Sequence, residues 1–217
     1  MDDSEIVLDI GKGLQKYLDK KIIEFSANLQ LQEEKNTAVL FTSTYEGEGK
    51  TTLSLLLAIE LAESGKKVIW LDCDFHKRRN AYKLNPARTE KKDDKFWGLI
   101  DYLNLSCEKE KIIYSVKNKN LNVIPVGSTR KGARELIGKP VFQELINQLR
   151  KEYDYIILDG SAAGVFLDSR IMASKCDGVI YVIEYNRVKK AFVKETMGEI
   201  RKYKGRILGA VLNKSRD

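Results

Sequence analysis

Three short stretches of this chain end in residues suited to chemistry on phosphates. The first, Ser43-Thr44-Tyr45-Glu46-Gly47-Glu48-Gly49-Lys50-Thr51-Thr52, follows a β-rich run and precedes an apolar helical pattern. Glycines let the backbone bend so that successive N–H groups converge on phosphate oxygens, and the start of a helix adds partial positive charge. The loop of Glu46, Gly47, Glu48, Gly49, Lys50, Thr51 and Thr52 is therefore a candidate nucleotide cradle. Lys50 would reach the β- and γ-phosphates, and the Thr51 hydroxyl would ligate Mg²⁺. The usual motif has a glycine five residues before its last one, and Thr44 stands there instead.

The second stretch, Val68-Ile69-Trp70-Leu71-Asp72-Cys73-Asp74, is an apolar run ending in two carboxylates one residue apart. An extended backbone would put Asp72 and Asp74 on one side. One could then order the water shell of a magnesium ion while the other takes a proton from an attacking hydroxyl. The third, Tyr155-Ile156-Ile157-Leu158-Asp159, places one more acid at the end of an apolar run, as in phosphate-loop proteins where such an acid completes the metal site. In open parallel sheets ligands sit beyond the carboxyl ends of strands, where all of these acids fall. The order of the three features predicts a nucleotide site with magnesium.

The elements that must position these residues are legible as pattern. Runs at 38–42, 68–71, 121–126, 155–158, 179–183 and 207–212 are rich in β-branched and aliphatic residues on consecutive positions, as strands covered on both faces require. Between them, 50–64, 141–151 and 188–203 carry apolar residues at helical spacing. The alternation predicts an α/β protein with a mostly parallel central sheet and helices on both faces. Residues 5–32 have helical patterning, so a helical segment over 1–35 is expected to pack outside the sheet, and 85–95 reads as a charged loop. One domain over 1–217 is expected.

Composition narrows the function classes. Hydrophobic residues make up 43% and charged residues 32%, as in a globular protein. No apolar run reaches the ~18 to 20 residues of a membrane span, and the acidic start Met1-Asp2-Asp3-Ser4-Glu5 is the opposite of a secretory signal. A cytoplasmic protein is expected. Cys73, Cys107, Cys176 and His76 have no metal-ligand spacing. The net charge of +7 is spread in small clusters interleaved with acids, so no nucleic acid partner is expected.

Taken together, "TSTYEGEGKTT", "VIWLDCDF", "YDYIILD" and the closing "ILGAVLNK" resemble the bacterial tyrosine kinases of capsule and exopolysaccharide assembly. These are deviant-Walker members of the phosphate-loop NTPases. The resemblance extends through "FWGLIDYLN" (96–104) and "LNVIPVGSTRKGARELIGKPVFQELINQLRKEYDYIILD" (121–159) and covers nearly the whole chain. It implies that Lys50 and Thr51 hold the phosphates and Mg²⁺, and that Asp72 acts as base on a tyrosine hydroxyl. It also implies that Asp74 and Asp159 organise the metal and that Asn213 contacts adenine. Its implied partner is the cytosolic tail of a membrane-embedded chain-length regulator, which would bring the protein to the inner face of the membrane.

The chain departs from that family in four places. The C-terminal tyrosine cluster is absent from this sequence, whose last tyrosine is Tyr203. Glu24, Ala27 and Gln30 stand where the family ties subunits into a ring with a glutamate and two arginines, so the ring contact of a homo-oligomer lacks its charge-assisted bonds. His76, followed by Lys77, Arg78 and Arg79, replaces the arginine after the second acidic motif, either as a charge stabiliser or as part of a solvated loop. Asp159-Gly160-Ser161-Ala162 lacks the prolines of the family's rigid turn. A tyrosine kinase is expected, with a diverged ATP-binding regulator of the same pathway as alternative. A partition-type switch ATPase is less expected, since its additional lysine early in the loop is missing from 43–46.

Overall fold

In the computed structural model the described residues are 5–9, 20–32, 36–76, 83–86, 97–127 and 132–214. Along the chain they form β1 (Glu5–Asp9), α1 (Lys20–Gln32), β2 (Thr37–Ser43), α2 (Lys50–Glu63), β3 (Val68–Cys73), β4 (Lys83–Pro86) and α3 (Leu99–Leu103). A 3₁₀ turn at Lys109–Ile112 leads to β5 (Tyr114–Val116), β6 (Leu121–Ile124), α4 (Ala133–Gly138), α5 (Pro140–Leu149) and β7 (Tyr155–Gly160). The chain continues with α6 (Asp168–Ala173), β8 (Gly178–Glu184), α7 (Lys190–Lys202) and β9 (Ile207–Asn213).

One nine-stranded sheet runs in the order β4-β1-β5-β6-β3-β7-β2-β8-β9. From β6 to β9 every pairing is parallel. Antiparallel pairing is confined to β1 with β4 and β5 with β6. The central strands are apolar at consecutive positions because alternate side chains enter different cores. Leu40, Leu71 and Leu158 pack with α5 residues such as Phe142 and Leu145. Val39, Phe41, Trp70 and Ile157 pack with Leu57, Ala58 and Leu61 of α2. The Trp70 indole, fully buried, donates to Ser54 Oγ at 3.0 Å and so fixes α2 to the sheet.

The far edge corrects two expectations. Glu5–Asp9 is a strand rather than part of a helical segment, and α1 begins at Lys20. Ile6 is 1% exposed, paired in register with Val116 on one side and Pro86 on the other, and this burial outweighs the local helical pattern. Asn85 and Pro86, expected in a loop, belong to β4. It is an edge strand, the place in a sheet where proline is tolerated. Residues 87–95 of that expected loop lie outside the described residues, as do 1–4, 10–19 and 33–35.

Candidate functional site

β3, β7 and β2 lie side by side and parallel, so their carboxyl ends form one rim. The chain leaves β2 at Ser43 and loops to the start of α2 at Lys50. Gly47 and Gly49 have φ of 80° and 99°, the left-handed region that favours glycine. A Cβ on Gly49 would lie 2.1 Å from Asn213 Nδ2, so a second constraint acts there. Lys50 is buried at the loop's base, Thr51 and Thr52 are half-buried, and Glu46 and Gly47 are exposed.

Two side chains hold the loop from beneath, and neither role was visible in the sequence. Thr44, in the place of a glycine, pairs its hydroxyl with the Tyr181 hydroxyl of β8 at 2.7 Å. Glu48 is fully buried, and its Oε2 accepts the Thr44 N–H at 3.1 Å. Burial raises the Glu48 carboxyl above its ordinary value, opposed by hydrogen bonds from the Thr44 and Tyr45 backbone and by the charges of Arg187 and Lys50. One oxygen of the Glu48 carboxyl is thus engaged within the loop, while Oε1 is buried without a hydrogen-bond partner.

Asp72 and Asp159 are in register on neighbouring strands, both fully buried, and Asp74 is 5% exposed. The extended geometry expected for Asp72 to Asp74 does not persist. β3 ends at Cys73, and the chain turns so that the Asp74 N–H donates to Asp72 Oδ1 at 3.1 Å. The His76 N–H then donates to Asp74 Oδ1 at 3.2 Å. Such side-chain-to-backbone bonds are the usual competitor of a strand. Among the described residues no three His, Cys, Asp or Glu side chains converge closely enough to hold a metal alone. A nucleotide's magnesium needs only one or two carboxylates, because phosphates and water fill its remaining positions. The hard oxygen donors of Thr51, Asp74 and Asp159 fit that requirement.

The turn after Asp159 has no proline, yet it is held. The Thr42 and Ser169 hydroxyls each donate to the Ser161 carbonyl at 2.7 Å, and the Ala163 N–H donates to Thr42 Oγ1 at 3.1 Å. Gly160 permits this closeness, since a Cβ there would lie 2.6 Å from Ser169 Oγ and 2.9 Å from the Phe41 carbonyl. His76 is half-buried and partnered. Its Nε2 meets Asp168 Oδ2 at 2.5 Å, and its ring stacks on Phe166 with centroids 3.6 Å apart. Lys77, Arg78 and Arg79 lie outside the described residues.

β9 brings Asn213 against the loop, where its Nδ2 donates to the Glu48 carbonyl at 2.8 Å. Beside it, Lys214 Nζ donates to the Gly47 carbonyl at 3.3 Å and pairs with Glu184 at 3.1 Å. Arg187 also pairs with Glu184, at 2.7 Å, and hydrogen bonds from Arg187 and Lys214 hold that carboxyl below its ordinary value. Sequence reasoning missed Glu184, Arg187 and Lys214, which form this basic corner only once β8 and β9 are paired. On α1, Glu24 and Ala27 are exposed, and the Gln30 amide donates to Ser26 of its own helix at 3.2 Å.

A family model described as an AAA domain matches residues 37–208. The tyrosine-protein kinase CpsD of Streptococcus agalactiae is 32% identical over 187 residues, which span 86% of this chain and 79% of that protein. The succinoglycan biosynthesis transport protein ExoP of Rhizobium meliloti is 25% identical over 218 residues, which span 98% of this chain and 26% of ExoP. Among solved structures, the kinase domain of VpsO matches with a TM-score of 0.78 and 28% identity, over 95% of this chain and 100% of that domain. Among the described residues no helix is long and apolar enough to cross a membrane.

Proposed function

The chain belongs to the bacterial tyrosine-protein kinase family, and on that premise we propose that it transfers the γ-phosphoryl group of ATP to a tyrosine hydroxyl. The loop from Glu46 to Thr52 and the Lys50 ammonium hold the phosphates, and Asn213, which braces the loop through the Glu48 carbonyl, is the residue assigned to the adenine. Thr51, Asp74 and Asp159 would hold the magnesium, which when bound offsets negative charge on the phosphates. Asp72 accepts the proton of the attacking hydroxyl as the new O–P bond forms and the bridging oxygen leaves with ADP. The observation that supports this reading most is the buried pair Asp72 and Asp159 on adjacent strands. It lies beside a loop whose opening residues, Thr44, Tyr45 and Glu46, include no lysine of the switch-ATPase kind.

Acceptor tyrosines must reach solvent. Among the described residues Tyr45, Tyr185 and Tyr203 are exposed, while Tyr114, Tyr155 and Tyr181 are buried. Tyr45 and Tyr185 flank the loop and are the preferred acceptors in this chain. The kinase works from the cytoplasm with the cytosolic tail of a membrane chain-length regulator. The layout of ExoP supports this, since a segment similar to the whole of this chain occupies about a quarter of that transport protein.

Incubation with Mg-ATP, followed by intact mass and a free-phosphate assay, tests the reading. A mass gain that maps to tyrosine and is lost in Lys50→Met is expected. Free phosphate without a mass gain would favour the switch ATPase. Binding without either product, even with the regulator's tail added, would favour the ATP-dependent regulator.

A further inference from the structure

His76 and Asp168 connect the two acidic motifs, and nothing in the proposed transfer uses them. His76 follows Asp74 by two residues and donates its backbone N–H to that carboxylate. Its imidazole Nε2 contacts Asp168 Oδ2 at 2.5 Å, across 92 residues of sequence. Asp168 is 1% exposed and opens α6, whose next residue, Ser169, donates to the carbonyl of Ser161, two residues past Asp159. Arg134 of α4 approaches the other oxygen, Oδ1, at 3.5 Å. Phe166 covers the imidazole face with its ring tilted by only 2°. A continuous set of contacts therefore runs from Asp74 through His76, Asp168, Ser169 and Ser161 to the turn that follows Asp159.

We infer that the His76–Asp168 pair is a positioning latch that sets the spacing of Asp74 and Asp159, the two carboxylates read above as magnesium ligands. The inference rests on that reading of the site. Neither His76 nor Asp168 touches the nucleotide in this role. Groups that orient a metal ligand commonly matter about as much as the ligand's own fine geometry, at roughly 10- to 100-fold in metal affinity. The latch joins a turn held by a few hydrogen bonds to a helix packed on the core, so its loss releases Asp74 while leaving the sheet intact.

The test measures binding of a fluorescent ATP analogue against magnesium concentration for the full chain, with thermal unfolding as the control for folding. His76→Ala is expected to raise the magnesium concentration for half-maximal binding about tenfold. Magnesium-free nucleotide affinity and the unfolding midpoint should stay close to wild type. His76→Gln, whose amide can still donate to Asp168, is expected to recover most of the loss. Asp168→Asn, which keeps an acceptor for His76, should fall between them. A His76→Ala variant with an unchanged magnesium midpoint overturns the latch alone, as does an equal loss of affinity with and without magnesium. A folded His76→Gln variant no better than His76→Ala also overturns it. Wild-type binding that ignores magnesium overturns both the latch and the site reading beneath it.

Discussion

The phosphate loop and the acidic turn meet at the same rim of the sheet but are held in different ways. The loop's hydrogen bonds begin locally, with Glu48 reaching back four residues to the Thr44 N–H. Its shape follows from Gly47 and Gly49 and from the start of α2. The acidic turn begins with equally local bonds at Asp72 and Asp74, but its outer anchor is Asp168, supplied from the far side of β7. Local restraint survives a change in any distant element, whereas long-range restraint makes the geometry of one motif depend on the placement of another. The loop thus takes its shape from its own residues and is braced from outside by Tyr181 and Asn213, whereas the outer end of the acidic turn depends on Asp168.

The largest way to sharpen this contrast is Asp72→Asn. The amide oxygen can still accept the Asp74 N–H, so the turn should persist while the base is lost. Phosphotyrosine formation is expected to fall about 10²- to 10⁴-fold, with ATP affinity by equilibrium titration within a few-fold of wild type. A drop in affinity as large as the drop in rate would assign Asp72 to binding instead.

A smaller effect should come from Asn213→Ala, which removes the bond to the Glu48 carbonyl. One neutral hydrogen bond is worth about 0.5–1.5 kcal/mol, so nucleotide affinity should weaken by roughly two- to thirteenfold. Titration with inorganic triphosphate separates two routes. An equal loss for ATP and triphosphate means that Asn213 acts through the loop, and a loss confined to ATP means that it contacts the base.

The smallest expected effect is on stability. The raised carboxyl of Glu48 means that the folded protein holds this proton more tightly than the unfolded chain, whose value is near 4.5. The stability due to this group is therefore complete below that value and is lost as pH rises through the folded one. Glu48→Gln stays neutral throughout. Its melting temperature relative to wild type is expected to rise between acid and neutral pH. A difference that does not change with pH would show that burial of the charge is not what the loop tolerates at this position.

The same local–distant division explains what could be read from the residues alone. Lys50, Thr51, Asp72 and Asp159 declare themselves because a glycine-rich turn before a helix, or an acid ending an apolar run, is written in adjacent letters. The central strands were legible because both of their faces are buried. β1 was not, since its burial depends on β4 and β5, both far along the chain. Asp168 had no signal of its own, as it gains meaning only from His76. Thr44 read as a flaw in the motif until Tyr181 supplied its partner. The missing prolines after Asp159 suggested a looser turn, but hydroxyls from Thr42 and Ser169 restrain it in their place.

The strand order also has a temporal side. β2, which launches the loop, is flanked by β7 and β8, and the loop is completed by Asn213 at the end of β9. All of these partners are synthesised long after Lys50. Synthesis must therefore pass Asn213 before the loop has these neighbours, and pairing between segments so distant is slow to form. Until then the nascent chain carries the letters of a phosphate loop without the strands that wall it.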